Sequence, residues 1–377
     1  MTAVPALFFY GTLCHLPLLR AVLGREVQVV AAQLPDHGVW WSAEGAWPVI
    51  RAQAGAVAQG ILLRDAGPED LDRLDFYEGA FGYDTRVLPV QTVGGLVPAQ
   101  VYFPVDAAKT GAPWHLPDWV ADWGAVAVAT APDVMALRGQ RDAAEVARRY
   151  RLMLVRGASR VRAATPAPVS LRHAARAEDV VIARQTQPYA NFFAIEEYDL
   201  HYRRFDGTMS PRINRAVFLS GDAVTVLPYD PQRDRVLLIE QFRAGPHGRG
   251  DPQPWLLEAI AGRVDPEEAP EQAARREAVE EAGLVLGDLE KVGQYYPSPG
   301  AKSEYLYSYV ALCDLPDGVE GVFGEASEAE DIRGHLVDFD RFMQLVTTGE
   351  VDNAPLLITA LWLQRERARL RGGHSPA

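Results

Sequence analysis

Apolar positions alternate with polar ones in short runs between residue 6 and about residue 105: ALFFY, VQVVAAQL, AVAQGILL, RVLPVQTV and PAQVYFPV. Gly, Pro and Asp punctuate these runs, which predict β-strands. Two stretches of helical spacing interrupt them. One, HLPLLRAVLG, follows Gly11; the other is PEDLDRLDFYEG, with Pro68 at a favourable first-turn position. This pattern predicts an α+β domain over residues 1–115. The pattern then changes. PDWVADWGAVAVATAPDVMALRG and DAAEVARRYRLMLVRGASRVRA carry helical spacing. They read as a helical connector over 116–170, ending in the flexible joint ATPAPVS. A third region, 171–377, resumes strands: VVIARQTQ, FFAIEEYDLHYRRF, RAVFLS, AVTVLPYD and RVLLIEQFR. A helix is expected at about 267–283, then a strand YLYSYVALC, then two terminal helices, DFDRFMQLVTTG and APLLITALWLQRERARLRGG.

Length and charge narrow the picture. At 377 residues two domains are expected. The net charge of -13, from 50 acidic against 37 basic residues, argues against a nucleic-acid partner. A phosphorylated small molecule stays open, because divalent cations can sit between carboxylates and phosphates. Two cysteines, Cys14 and Cys313, give no disulfide framework and no cysteine zinc site. They read as thiols of a reducing cytoplasm. The N-terminus lacks a basic leader region, and no window approaches about 20 uninterrupted apolar residues, so no membrane contact is expected.

The segment GRVDPEEAPEQAARREAVEEAGL carries the strongest chemical signal. On a helix, residues three and four apart share a face, so Glu277, Glu280 and Glu281 crowd together beside Arg276. Carboxylates so close repel each other, and a hard divalent cation with oxygen ligands removes the repulsion. Such cations also bridge diphosphate oxygens and orient a water. Arg276 can fix the rotamer of a neighbouring carboxylate. Gly262, before the helix, permits close backbone approach.

The full spacing is Gly262, five residues, Glu268, seven residues, Arg276-Glu277, Ala278, one residue, Glu280-Glu281, one residue, Gly283-Leu284. It resembles the Nudix box at every defined position. The flanks LLIEQFR, WLLEAIAG, YYPSPGAKSE and EASEAEDIRG, in that order, resemble the ADP-ribose pyrophosphatase branch from about 180 to 370. The resemblance implies a Nudix α/β/α sandwich and Mg²⁺-dependent hydrolysis of ADP-ribose to AMP and ribose 5-phosphate, Mn²⁺ being a substitute. It implies that the Ala261 carbonyl, Glu277, Glu281 and Glu330 hold the metal. Glu280 and Glu281 belong to the catalytic set. Glu328 is the implied base, with Glu325 and Glu330 as alternatives on the same acidic loop. Arg215 and Arg243 would hold the diphosphate or terminal ribose, with Glu258 and Glu304 assisting. Pro299 marks the branch, and Phe192 would stack on adenine. The segment FDGTMS resembles an arm exchanged in a homodimer. Alternatives are another nucleotide sugar as substrate, or an ADP-ribose-binding sensor.

In the first region, LFFYGTLCHLPLL reads as a strand, a tight turn at Gly11 and a helix, a junction whose free N–H groups suit an anion. Glu78 ends an amphipathic helix next to Gly79, placed to shuttle a proton. YGTL with DFYEG resembles the γ-glutamylcyclotransferase-like (AIG2-like) family over residues 6 to about 105. There Tyr10, Gly11, Thr12 and Leu13 would hold substrate, and Glu78 would be the general acid/base. A non-catalytic module of the same fold is the other reading. The fusion resembles tellurite-resistance-associated Nudix proteins, which implies a stress role.

Overall fold

The computed structural model describes residues 6–79, 82–104, 109–324 and 330–372. The chain divides into two compact units, 1–175 and 176–377.

The first unit is a closed β-barrel with helices packed outside it. Its strands are β1 (Ala6–Phe9), β2 (Val29–Ser42), β3 (Pro48–Leu63), β4 (Tyr83–Thr92), β5 (Gly95–Pro104) and β6 (Thr110–Pro113). The sheet runs β3-β1-β5-β4-β2-β6, and an added β2–β3 pairing closes the ring. Only β1 and β5 pair in parallel among these neighbours. The period of two divides the strand residues between two cores. Phe8 and Tyr10 face inward with Leu34, Ile50, Leu62 and Val101. Leu7 and Phe9 face outward against helices. These helices are α1 (Leu16–Leu23), α2 (Pro68–Gly79), α3 (Leu116–Trp119), α4 (Ala125–Met135) and α5 (Ala143–Ala163), with a π-helical turn over Val120–Gly124. Gly24 stops α1 at φ 68°, a left-handed value that suits glycine. The Asp142 side chain caps α5 by accepting from the Glu145 N–H.

One expectation is corrected here. Residues 116–170 are not a connector between domains. Trp119, Ala127, Ala131, Val134 and Met153 are buried in one core with Leu7, Leu18 and Leu74. An amphipathic stripe says that a helix buries one face, but not against what. The break between units instead follows Ala175.

The second unit is a three-layer sandwich plus a small sheet. Its elements are β7 (Val180–Ala190), β8 (Ala194–Tyr202), β9 (Ile213–Leu219), β10 (Ala223–Asp230), β11 (Arg235–Phe242), α6 (Ala244–Arg249), β12 (Trp255–Glu258), β13 (Ile260–Arg263), α7 (Pro270–Ala282), β14 (Leu289–Tyr295), β15 (Leu306–Leu312), β16 (Val322–Phe323), β17 (Ile332–Asp338), α8 (Phe339–Thr348) and α9 (Ala354–Gly372). The main sheet runs β14-β15-β10-β11-β17-β16, with β12 on β11 and β13 on β10; β7-β8-β9 stand as a separate antiparallel sheet. Strand parity sorts the layers. Val224, Val226, Leu237, Ile239, Tyr309 and Ala311 pack with Ala273, Ala274 and Ala278 of α7. Leu227, Tyr229, Val236, Leu238, Val310 and Leu312 pack with Phe342 of α8 and Leu356, Ala360 and Leu363 of α9. The small alanines let α7 approach the sheet closely, which brings its carboxylates down to the strand ends.

Candidate active site

In the second unit α7 begins with Pro270 in its first turn, where the missing N–H costs nothing, and ends at Gly283 with φ 62°. Arg276 is its hub. Its guanidinium donates to Glu268 through Nη2 at 2.7 Å and Nε at 3.2 Å, and to the Arg263 carbonyl at 3.0 Å. Through Nη1 it reaches Glu277 at 2.7 Å and Glu280 at 2.8 Å. One cation thus orients three carboxylates, Glu268, Glu277 and Glu280, and ties them to β13.

Glu277 and Glu281 differ in what holds them. Glu277 leans on Arg276, and Gly262 leaves room for it: a Cβ there would lie 1.8 Å from Glu277 Oε1. Glu281 is buried at 2% exposure and accepts the Ala261 N–H at 2.9 Å. Burial pushes the Glu277 carboxyl up to about 7, opposed by Arg276 and reinforced by the charges of Glu280 and Glu330. Burial pushes Glu281 up to about 8, opposed by the Ala261 N–H and reinforced by Glu277 and Glu330. Glu330 is therefore close enough to be felt at both carboxylates. Among the described residues, however, no three His, Cys, Asp or Glu side chains are drawn into a metal cage. The donor set fits a hard divalent cation all the same: carboxylate oxygens, a backbone carbonyl at Ala261, and a glycine cradle that a Cβ would fill.

The other expected residues fall into two groups. Arg243 donates from Nε to Glu258 at 2.7 Å, and its charge lowers Glu281, so this pair sits beside the carboxylates. Phe192 is half exposed and meets the box through Arg263, whose guanidinium lies 3.8 Å from the ring centroid. One face of the ring is covered by Arg263. Pro299 lies in an exposed loop tied to β9 by Phe218 N–H to Ala301 O at 2.8 Å and Ser303 N–H to Phe218 O at 3.0 Å. Phe218 in turn packs on Phe193 at 4.6 Å, so that loop and the aromatic wall are one structure. Glu304 faces Lys302 at 3.7 Å. Arg215 stands exposed on β9, its guanidinium turned to the Asn214 carbonyl at 2.8 Å rather than to a carboxylate. Glu325 and Glu328 lie outside the described residues. Arg263 was not singled out from the sequence, although its place beside Gly262 was a signal. The Gly/Pro-rich stretch after Arg243 forms a short helix, α6.

In the first unit the YGTL turn follows β1 directly. Gly11 is required by close approach: a Cβ there would lie 2.4 Å from Pro48 Cγ. The Tyr10 hydroxyl donates to the Tyr102 carbonyl at 2.9 Å, and Leu13 is buried in the outer core. Thr12 opens a 3-10 turn whose Thr12 carbonyl accepts the His15 N–H. Glu78, at the end of α2, is pushed up to about 7 by burial alone. Burial above all, with the Glu78 charge as a smaller cause, raises Tyr10, Tyr77, Tyr83, Tyr102 and Tyr150 as well. A carboxyl and five phenols thus share one neighbourhood. A cavity of about 460 Å³ opens beside Tyr10 and Cys14, walled by Gly60, Ile61, Trp114 and His115.

Comparison with known proteins agrees with both halves. Residues 219–358 match the NUDIX domain family, and residues 7–121 match the family described as gamma-glutamyl cyclotransferase, AIG2-like. The ADP-ribose pyrophosphatase of Escherichia coli (strain K12) is 40% identical over 191 residues, covering 51% of this chain and 90% of that protein. That of Haemophilus influenzae is 34% identical over 196 residues, 52% of this chain and 90% of that protein. A GDP-mannose pyrophosphatase of Enterobacter sp. (strain 638) is 32% identical over 174 residues, 46% of this chain and 89% of that protein. The chain belongs to the Nudix family of hydrolases. Within it, the second unit groups with the ADP-ribose pyrophosphatases, and the first unit carries an AIG2-like domain.

Proposed function

We propose that the second unit hydrolyses ADP-ribose to AMP and ribose 5-phosphate with Mg²⁺, Mn²⁺ substituting for it. The observation that carries this reading is the gathering of Glu277 and Glu281 at β13, one over Gly262 and the other on the Ala261 N–H. A bound divalent cation would neutralise the diphosphate and acidify a water for in-line attack. Ala261, Glu277, Glu281 and Glu330 are the residues that would hold it. Arg276 keeps Glu277 and Glu280 in fixed rotamers. Arg243 offers its outer N–H groups to the diphosphate while Glu258 anchors its Nε. Phe192, backed by Arg263, offers its remaining surface to the base. Glu328 is the proposed base for the attacking water. Exposed Val180, Val181, Ile182 and Phe205 support assembly of this unit as a homodimer.

Glu281→Gln tests the reading. Turnover of ADP-ribose at saturating Mg²⁺ is expected to fall at least about a thousandfold, with the thermal transition retained. Hydrolysis at the wild-type rate by that variant would remove the assignment. Identifying products from ADP-ribose and GDP-mannose side by side decides the sugar, since relatives of both names match this unit.

A second reading concerns the first unit: Glu78 acts as general acid/base on a γ-glutamyl amine, releasing 5-oxoproline. The raised Glu78 carboxyl among tyrosines supports it. Incubating the full chain and its Glu78→Gln variant with γ-glutamyl dipeptides tests it. Equal 5-oxoproline from both, or none from either, would leave a non-catalytic module.

A further inference from the structure

The match to the AIG2-like family ends at residue 121, yet the first unit runs on to Ala175 and carries the 21-residue helix α5 beyond that point. Val146 and Met153 of α5 are buried in one core with Leu74 and Tyr77 of α2, and Ala143 and Tyr150 pack against that core. Ala143, Val146, Tyr150 and Met153 recur at helical spacing, so one stripe of α5 makes these contacts. α2 is the helix that carries Glu78, and the residues on either side of Glu78 both rest on α5. Tyr77 is hydrogen-bonded to Tyr150. A Cβ on Gly79 would lie 3.7 Å from the Ala143 Cβ, in ordinary contact. Glu78 therefore stands at the junction of the two helices.

The groups around this carboxyl come from several elements. Tyr10 follows β1, Tyr83 lies on β4 and Tyr102 on β5, and each senses the Glu78 charge. The Tyr102 hydroxyl donates to Asp75 at 2.8 Å. Tyr77 precedes Glu78 on α2, and Tyr150 reaches it from α5. The charges nearby are engaged elsewhere. Arg25 and Arg138 pair with Asp70 and Glu69 in the first turn of α2, at its other end, and Glu145 of α5 pairs with Arg149 at 2.6 Å. Burial is the cause of the Glu78 rise, and such a rise lasts only while water is kept out. A phenol suits that task on α5, since its ring excludes water while its hydroxyl is satisfied by Tyr77.

We propose that α5 completes the Glu78 site, with Tyr150 as the positioning residue that walls water from the carboxyl and so keeps its proton for the leaving amine of a γ-glutamyl donor. This rests on the reading of Glu78 as a general acid/base. Tyr150 acts through Glu78 and takes no part in the proton transfer itself.

Tyr150→Ser in the full chain tests this. Glu78 is followed by ¹³C NMR of glutamate-labelled protein, its resonance being the one lost in Glu78→Gln. The wild-type midpoint is expected at about 7. It should fall by at least about one pH unit in Tyr150→Ser, as water reaches the carboxyl, and stay within about half a pH unit in Tyr150→Phe, which keeps the ring. A merely structural Tyr150 would lower the thermal transition in Tyr150→Ser and leave the midpoint unmoved, and that result would overturn the proposal. Ala143→Lys keeps the ring and brings an ammonium to the same junction, so its midpoint should fall as well. An unmoved midpoint there would separate α5 from the carboxyl and overturn the proposal too. Release of 5-oxoproline from γ-glutamyl dipeptides is measured on the same preparations. Its absence from wild type would remove the acid/base reading, while the midpoints report on Tyr150 with or without turnover. Where 5-oxoproline forms, the pH profile of kcat/KM should move with the midpoint.

Discussion

Both units hold glutamates pushed up to about 7 or 8, yet by different means. Glu78 in the first unit is raised by burial alone, and phenols are its neighbours. Glu277 and Glu281 in the second are raised first by burial, then by neighbouring carboxylates, Glu280 at Glu277 and Glu277 at Glu281, with Glu330 adding to both. The difference separates two chemistries. A lone buried carboxyl near neutrality exchanges a proton with a ligand. Crowded carboxylates held apart by an arginine and a backbone N–H are relieved by a cation. A raised pKa therefore does not name a function until its cause is known.

Gly262→Ala should break this contrast most sharply. The added methyl would strike the Glu277 carboxylate, the end of a flexible side chain, rather than backbone. Hydrolysis by the second unit should fall roughly a hundredfold, because a displaced ligand is misplaced by about an ångström. The thermal transition should shift little. Steady-state kinetics and calorimetry on one preparation check both parts. A large loss of stability with activity kept would mean that the close approach is structural.

The next effect is on pH dependence. Both carboxyls of the second unit bind their proton more tightly when folded, at about 7 and about 8, than at the ordinary 4.5. The stability they contribute is thus complete below 4.5 and is lost as pH rises through the folded values. In chelator-treated protein the transition of the second unit should fall between those limits. The fall should be shallower in Glu281→Gln, and Mg²⁺ should reverse it. A slope identical in variant and wild type would show that Glu281 is not raised.

The smallest effect is expected at Glu78. Glu78→Gln removes a group that must ionise inside the fold above about 7, so the first unit should gain a few degrees at pH 8 and nothing at about pH 4. ADP-ribose hydrolysis should not change. A gain at both pH values would point to packing instead.

How much of this was legible depended on whether a signal was local. The carboxylate helix was, because one guanidinium, that of Arg276, holds Glu268, Glu277 and Glu280 across short sequence spacings. The αL stop at Gly283 and the glycine cradle at Gly262 were legible for the same reason. The helices after Leu116 were visible as helices, but their partner was not, since Trp119 and Met153 meet Leu7 and Leu18 across more than a hundred residues of chain. Strands β2 and β3 run well beyond the apolar runs that announced them, because their pairing from Val29 to Trp41 carries exposed positions along. Arg263 needs the fold, since its stacking partner Phe192 lies seventy-one positions earlier.

Mn²⁺ binding, followed by electron paramagnetic resonance, tests the central claim most directly when run on wild type, Glu281→Gln and Glu78→Gln side by side. The account predicts tight binding in wild type, the same binding in Glu78→Gln, and binding weakened by at least about tenfold in Glu281→Gln. Undiminished Mn²⁺ binding by Glu281→Gln would contradict it.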